Sequence, residues 1–238
     1  HIDLQYVTLG LITLNVLVWV VSAVSGENGD FTNAAVLGLG YIPAVVNGLA
    51  QLAPGIAIVP DEATYITYAF LHADFFHMAT NMLFLWVFGD NIEDALGHVR
   101  FLVFYLLCAA AGAFAHGLLE PGSQAPLIGA SGAVAGVVAA YLILHPRVRV
   151  WVLALGRIPL PLPAFIPLAL WVIYQFAMVD HDSGISWAAH IGGIVAGAVL
   201  VIVLKRSDVP LFDRQIISPR AIEHKKASVP QTGKRWGR

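Results

Sequence analysis

The chain has 238 residues, of which 58% are hydrophobic and 12% charged, with a mean hydropathy of +0.75. Soluble domains carry about a quarter charged residues, so this chain cannot cover a water-facing surface of its size. A net charge of −2 and a pI of about 6.5 exclude a nucleic-acid-binding protein and a disordered one. The single cysteine, Cys108, excludes an intrachain disulfide framework and any multi-cysteine metal site. What remains is an integral membrane protein whose first partner is the lipid bilayer. The first residue is His1, and no removable signal peptide is read at this end of the chain.

A span needs about 20 mostly apolar residues to cross roughly 30 Å of hydrocarbon. The apolar runs predict six, over residues 4–25, 75–92, 100–119, 127–145, 163–179 and 185–204. The fifth is entered through Pro159, Pro161, Pro163 and Pro167, which places its helix start near Ala164. The uncharged stretch 31–60 is not counted, because Gly38, Gly40, Pro43, Asn47, Gly48, Gln51, Pro54 and Gly55 are poor material for a lipid-exposed helix.

The few charges orient these spans. All 13 Lys and Arg fall at Arg100, at Arg147, Arg149 and Arg157, or from Lys205 onward. Segments 26–74, 120–126 and 180–184 have none, yet hold Glu27, Asp30, Asp61, Glu62, Asp74, Glu120, Asp180 and Asp182. By the positive-inside rule both termini are cytoplasmic and 26–74 is a long extracytoplasmic first loop lying partly in the interface. The expected architecture is all-α, with a six-span domain over 1–204 and a basic, poorly ordered cytoplasmic tail over 205–238.

Polar side chains inside spans are costly and often functional. His77 and Asn81, at i and i+4, share one face of the second span. Ser131 stands in Gly129-Ala130-Ser131-Gly132 of the fourth, and His190 in Ala189-His190-Ile191-Gly192-Gly193 of the sixth. All three of these spans begin on the extracytoplasmic side, so His77, Ser131 and His190 are expected in one layer near the outer surface. Gly132 and Gly136, like Gly193 and Gly197, are four residues apart, a spacing that lets membrane helices pack backbone to backbone. If those faces meet, Ser131 and His190 meet. A serine hydroxyl is a weak nucleophile until a base takes its proton. With no acidic residue in the last three spans, the available arrangement is a Ser-His dyad. An oxyanion would find donors in Asn81, His77 and the backbone beside Ser131.

These residues resemble the rhomboid family of intramembrane serine proteases. The resemblance covers residues 4–204 and also draws on His72, in the run His72 to Met82, and on Glu93 and Gly97. It implies that Ser131 is the nucleophile and His190 the general base, with Asn81, His77 and Gly129 at the oxyanion. It implies cleavage of transmembrane segments of other proteins near the extracytoplasmic face, with no metal or cofactor, in a plasma membrane. Substrates of the family present small residues at the cut and helix-weakening residues below it.

Two features depart from the family pattern. An aromatic residue four positions after the serine is replaced by Ala135, and a Trp-Arg pair in the first loop is missing, leaving Tyr65, Tyr68 and Phe70 to anchor that loop. Glu93 is read as structural at the inner end of the second span, with Arg100 as its candidate partner. His72 is read as a loop-to-helix contact, and His98, His116, His145 and His181 are given no role. The rival readings are a zinc site from His72, His77 and His190, which lacks a His-Glu-x-x-His motif, a transporter, and a catalytically silent rhomboid-like protein that binds membrane clients.

Overall fold

Long runs of Leu, Val, Ala and Ile leave the backbone few ways to satisfy its polar groups away from water, and here those runs are helical. The structure, a computed structural model, describes residues 4–25, 30–154, 157–177 and 186–213. Helices α1 (Tyr6–Val24), α7 (His98–Leu119) and α10 (Trp187–Leu204) are each long and apolar enough to cross a membrane. Helix α5 (Phe75–Phe84), a π turn (Leu85–Gly89) and α6 (Asp90–Leu96) follow one another with helical dihedrals at both junctions, forming one rod. Helices α8 (Ser131–Leu144) and α9 (Phe165–Ala177) are shorter. These six helical units fall within a few residues of the six expected runs. The stretches 178–179 and 185 of the fifth and sixth runs lie outside the described residues.

The first loop is largely helical, with α2 (Asp30–Leu39), α3 (Pro43–Val46), α4 (Thr64–Thr67) and 3-10 turns at Asp61–Ala63 and Tyr68–Phe70. It is anchored on the core by the three expected residues, with Tyr68 inside the core and Tyr65 and Phe70 packed against it. Tyr68 is 1% exposed and its hydroxyl donates to the Ala109 carbonyl of α7 at 2.8 Å. Tyr65 packs at a tilt against the buried Tyr41, with centroids 4.8 Å apart. Tyr41 in turn exchanges two backbone bonds with Leu127 just before α8.

The all-α expectation meets one exception. Strands β1 (Arg149–Ala154) and β2 (Ile158–Pro163) form an antiparallel hairpin between α8 and α9, with Trp151 opposite Pro161. Pro159, Pro161 and Pro163 occupy alternate positions, so the N–H groups of Ile158, Leu160 and Leu162 remain for the ladder. The same prolines delay α9 to Phe165, close to the expected start.

At the opposite end from Ser131, Gly97 at φ +89° turns the chain between α6 and α7, a conformation few other residues adopt. There Glu93 is fully buried; its Oε2 accepts from the Thr8 N–H (2.7 Å) and the Thr8 hydroxyl (2.6 Å), and its Oε1 from the Val7 N–H (3.0 Å), with His98 Nδ1 also against Oε1. A carboxylate at the start of α1 also meets the positive end of the helix dipole. The structural role expected of Glu93 holds, but its partner is His98 rather than Arg100, whose guanidinium reaches the Leu204 carbonyl. The first residues of the tail are also engaged. Arg206 N–H bonds Ala95 O, while Phe212 and Asp213 N–H bond Ile143 O and Leu144 O, capping the last turn of α8. Residues 214–238 lie outside the described residues.

Candidate active site

Glycines decide how closely α8 and α10 approach. A Cβ added to Gly193 would strike the Gly132 carbonyl, and one added to Gly197 would strike the Gly136 backbone. Both contacts join residues at the same sequence offset, so the two helices run parallel with their first turns side by side. At 1.5 Å per residue, that register leaves Ser131 and His190 only about 3 Å apart along the axis.

Ser131 is the first residue of α8, and the chain reaches it through a tight turn rather than through more helix. The apolar run places residues 127–130 in the span, but Leu127 pairs with Tyr41 and Gly129 has φ +120°. The Gly129 N–H is held by the Tyr68 carbonyl at 3.0 Å. A Cβ at Gly129 would stand 2.7 Å from His77 Nε2 and 3.8 Å from Ser131 Oγ. Glycine therefore allows both the backbone conformation and the close approach of the His77 ring beside Ser131. The first helical bond of α8 runs from Val134 N–H to Ala130 O, so the N–H groups of Ser131, Gly132 and Ala133 precede the ladder. Such a helix start favours negative charge.

Asp74 starts α5 by accepting the His77 N–H at 2.9 Å, an N-cap that sets the helix register of His77 and Asn81. Asn81 is 6% exposed, and one of its amide hydrogens bonds the His77 carbonyl at 3.0 Å. His72 lies in the loop before the helix, its ring centroid 5.1 Å from that of His77, and its Nε2 accepts a long bond (3.5 Å) from the Ala130 N–H. Burial, helped by the neighbouring His77, pushes His72 down to about 4. The loop-to-helix contact expected of His72 is present.

His190 is 7% exposed and lies within electrostatic range of His77. The ring against it is Trp171 of α9, with centroids 6.0 Å apart. No local pattern points to Trp171. Its helix is one of the apolar runs, but its closeness to His190 arises only when α9 and α10 pack. Ala135, four residues after Ser131, is fully buried. His72, His77, Asn81, Gly129, Ser131 and the first turn of α10 thus gather at one end of the helices.

The family model described as Rhomboid domain matches residues 61–207, more than half of the chain. The chain is a member of the rhomboid family. The mitochondrial Rhomboid protein 1 of Saccharomyces cerevisiae is 30% identical over 179 residues, covering 70% of this chain and 49% of that protein. The human mitochondrial presenilin-associated rhomboid-like protein is 33% identical over 135 residues, covering 54% and 34%. Rhomboid protease GluP of Bacillus subtilis is 29% identical over 150 residues, covering 62% and 27%. The chain spans about half or less of the length of these relatives.

Membership of this rhomboid family, with three helices apolar enough to span, makes the chain an integral membrane protein. Two of these relatives carry mitochondrial names and the third is bacterial, so the matches lend no support to plasma-membrane residence. Among the described residues, no group of three or more His, Cys, Asp or Glu could hold a metal ion. The rival zinc site from His72, His77 and His190 finds no support in that arrangement.

Proposed function

We propose that this rhomboid is an intramembrane serine endopeptidase that cuts transmembrane segments of other membrane proteins near the extracytoplasmic face. The observation that supports the reading is the parallel, close contact of α8 with α10 at Gly132–Gly193 and Gly136–Gly197, a register in which the positions of Ser131 and His190 differ by about 3 Å along the axis. In this reading the bundle has six spans, the rod Phe75–Leu96 and the shorter α8 and α9 included, with both termini cytoplasmic. Fourteen residues of α8 rise about 21 Å, so Ser131 lies below the outer surface of a hydrocarbon layer roughly 30 Å thick.

The chemistry uses these roles in order. Ser131 Oγ attacks the scissile carbonyl while His190 takes its proton. The carbonyl oxygen becomes an oxyanion, for which the second amide hydrogen of Asn81, His77 and the N–H groups around Gly129 and Ser131 are the donors. His190 then passes the proton to the leaving amine, and water reverses the sequence on the acyl-serine. A peptide bond in an intact helix is shielded, so a substrate that unwinds locally and presents a small residue is favoured.

The test is acylation of the purified protein by a fluorophosphonate probe, with the modified residue located by mass spectrometry. Labelling at Ser131 is expected, and Ser131→Ala and His190→Ala should each abolish cleavage of a reconstituted single-span substrate. Undiminished cleavage by Ser131→Ala would overturn the assignment. Absence of labelling in a folded wild-type protein would favour the client-binding alternative.

A further inference from the structure

The faces by which α10 meets its neighbours are nearly bare. A Cβ added to Gly112 of α7 would stand 2.9 Å from the Ala189 carbonyl oxygen, and one added to Gly132 of α8 would stand 3.3 Å from the same atom. One added to Gly192 would stand 2.6 Å from Ala115 Cβ. Such small-residue faces permit close approach. They also lack the ridges and grooves that normally stop one helix sliding along another. A general base must nevertheless sit within hydrogen-bond reach of its nucleophile, so something has to set the axial position of α10.

A polar pair lies at the place where that setting matters. Ser186 is the N-cap of α10, its Oγ accepting the Ala189 N–H at 3.2 Å and its carbonyl accepting the His190 N–H at 3.3 Å. The same Oγ lies 2.9 Å from Nδ1 of His116, a residue 8% exposed in the last turn of α7. A hydroxyl that accepts from Ala189 still has its O–H to donate, and Nδ1 of a neutral imidazole accepts it. One serine therefore ties the turn that carries His190 to a different helix. His116, which carries no motif, gains a role only through this contact.

We infer that His116 and Ser186 form a positioning pair whose hydrogen bond holds the first turn of α10 in the register that brings His190 to Ser131. The inference rests on the peptidase reading, since it takes His190 as the base. Neither side chain belongs to the reacting set; both act through the placement of His190.

The test compares His116→Leu, which keeps bulk without an acceptor, with His116→Asn, which returns an acceptor near the place of Nδ1. Ser186→Gly is a third variant, which loses the hydroxyl but keeps a tolerated N-cap residue. Three readouts are taken on the full chain in liposomes: fluorophosphonate acylation of Ser131, kcat and KM on a single-span substrate, and hydrogen exchange at the Ala189 and His190 amides. His116→Leu and Ser186→Gly are expected to lose about tenfold in acylation rate and kcat with KM nearly unchanged, since small misplacements cost up to about 100-fold. They should also exchange faster at the first turn, and His116→Asn should recover most of both losses. Wild-type acylation and protection in His116→Leu and Ser186→Gly would overturn the pair, as would a His116→Asn variant impaired as deeply as His116→Leu. A wild-type protein that is not acylated would instead overturn the peptidase reading and with it the catalytic meaning of the pair, whatever the exchange shows.

Discussion

Trp171 of α9 faces His190 of α10 across 6.0 Å between ring centroids, with the ring planes 34° apart. The same indole lies 6.4 Å from the Phe84 ring of α5. The aromatic support of the imidazole thus comes from α9, whereas the family pattern places it on the helix of the serine, where this chain has Ala135. An aromatic pair is worth about 0.5–1.5 kcal/mol beyond its buried area. Trp171→Ala is therefore expected to slow acylation of Ser131 by about tenfold, while Trp171→Phe should stay within about threefold of wild type. Stopped-flow or gel-based labelling with the fluorophosphonate probe measures both.

Gly129→Ala places a methyl group 2.7 Å from the His77 ring on a backbone at φ +120°. Strain of this kind costs about 1–3 kcal/mol, and the displaced ring lies beside Ser131. The variant should show a lower Tm and a loss of acylation larger than the Tm change alone explains. Retention of full labelling would mean that the His77 ring need not hold its position.

Gly193→Ala and Gly10→Ala make a contrast within one chain. The first drives a methyl group into the Gly132 carbonyl, whereas the second meets nothing within 4 Å. Gly193→Ala should lower the thermal unfolding temperature in micelles and reduce labelling, because α8 and α10 must separate. Gly10→Ala should be neutral or slightly stabilising, since alanine in a helix is favoured over glycine by roughly 0.5–1 kcal/mol.

Glu93→Gln leaves an amide NH2 where the Val7 and Thr8 donors converge. Donor facing donor in a buried site costs about 1–3 kcal/mol. The expected result is a clear fall in Tm, with a much smaller effect for Arg100→Gln, whose contact with the Leu204 carbonyl is exposed and 3.5 Å long. Equal effects of the two substitutions would contradict the buried network.

His72 carries a pH dependence of stability. Its folded value is lowered from 6.5 to about 4, chiefly by burial and then by His77. Between those two values the unfolded chain holds a proton on this ring that the folded chain does not, so stability rises with pH there. The contribution is full above pH 6.5 and is lost progressively as the pH falls toward 4. Tm measured from about pH 7 down to about pH 4.5 should fall less steeply in His72→Gln than in the wild type.

Much of the architecture is legible because it is local. The apolar runs that become α1, α7 and α10 are read from their length and freedom from charge, and their ends agree with the structure to within about two residues. The glycine spacing on α8 and α10 is legible for the same reason, since four residues return a helix to nearly the same face. The hairpin over residues 149–163 is not legible in this way. Alternate prolines read equally well as the approach to a helix, and their pairing with Arg149–Ala154 is a relation between two segments.

A membrane-embedded rhomboid with serine, histidine and asparagine near the starts of alternate apolar runs can be read from consecutive residues alone. What surrounds those side chains emerges only on folding. Trp171 of α9 lies against His190, Glu93 is paired by His98 and the start of α1, and His116 reaches Ser186 seventy positions away. Glycine and alanine faces specify that helices come close, but not at what height or angle. Those are set by single polar and aromatic contacts between helices, which no spacing along the chain records.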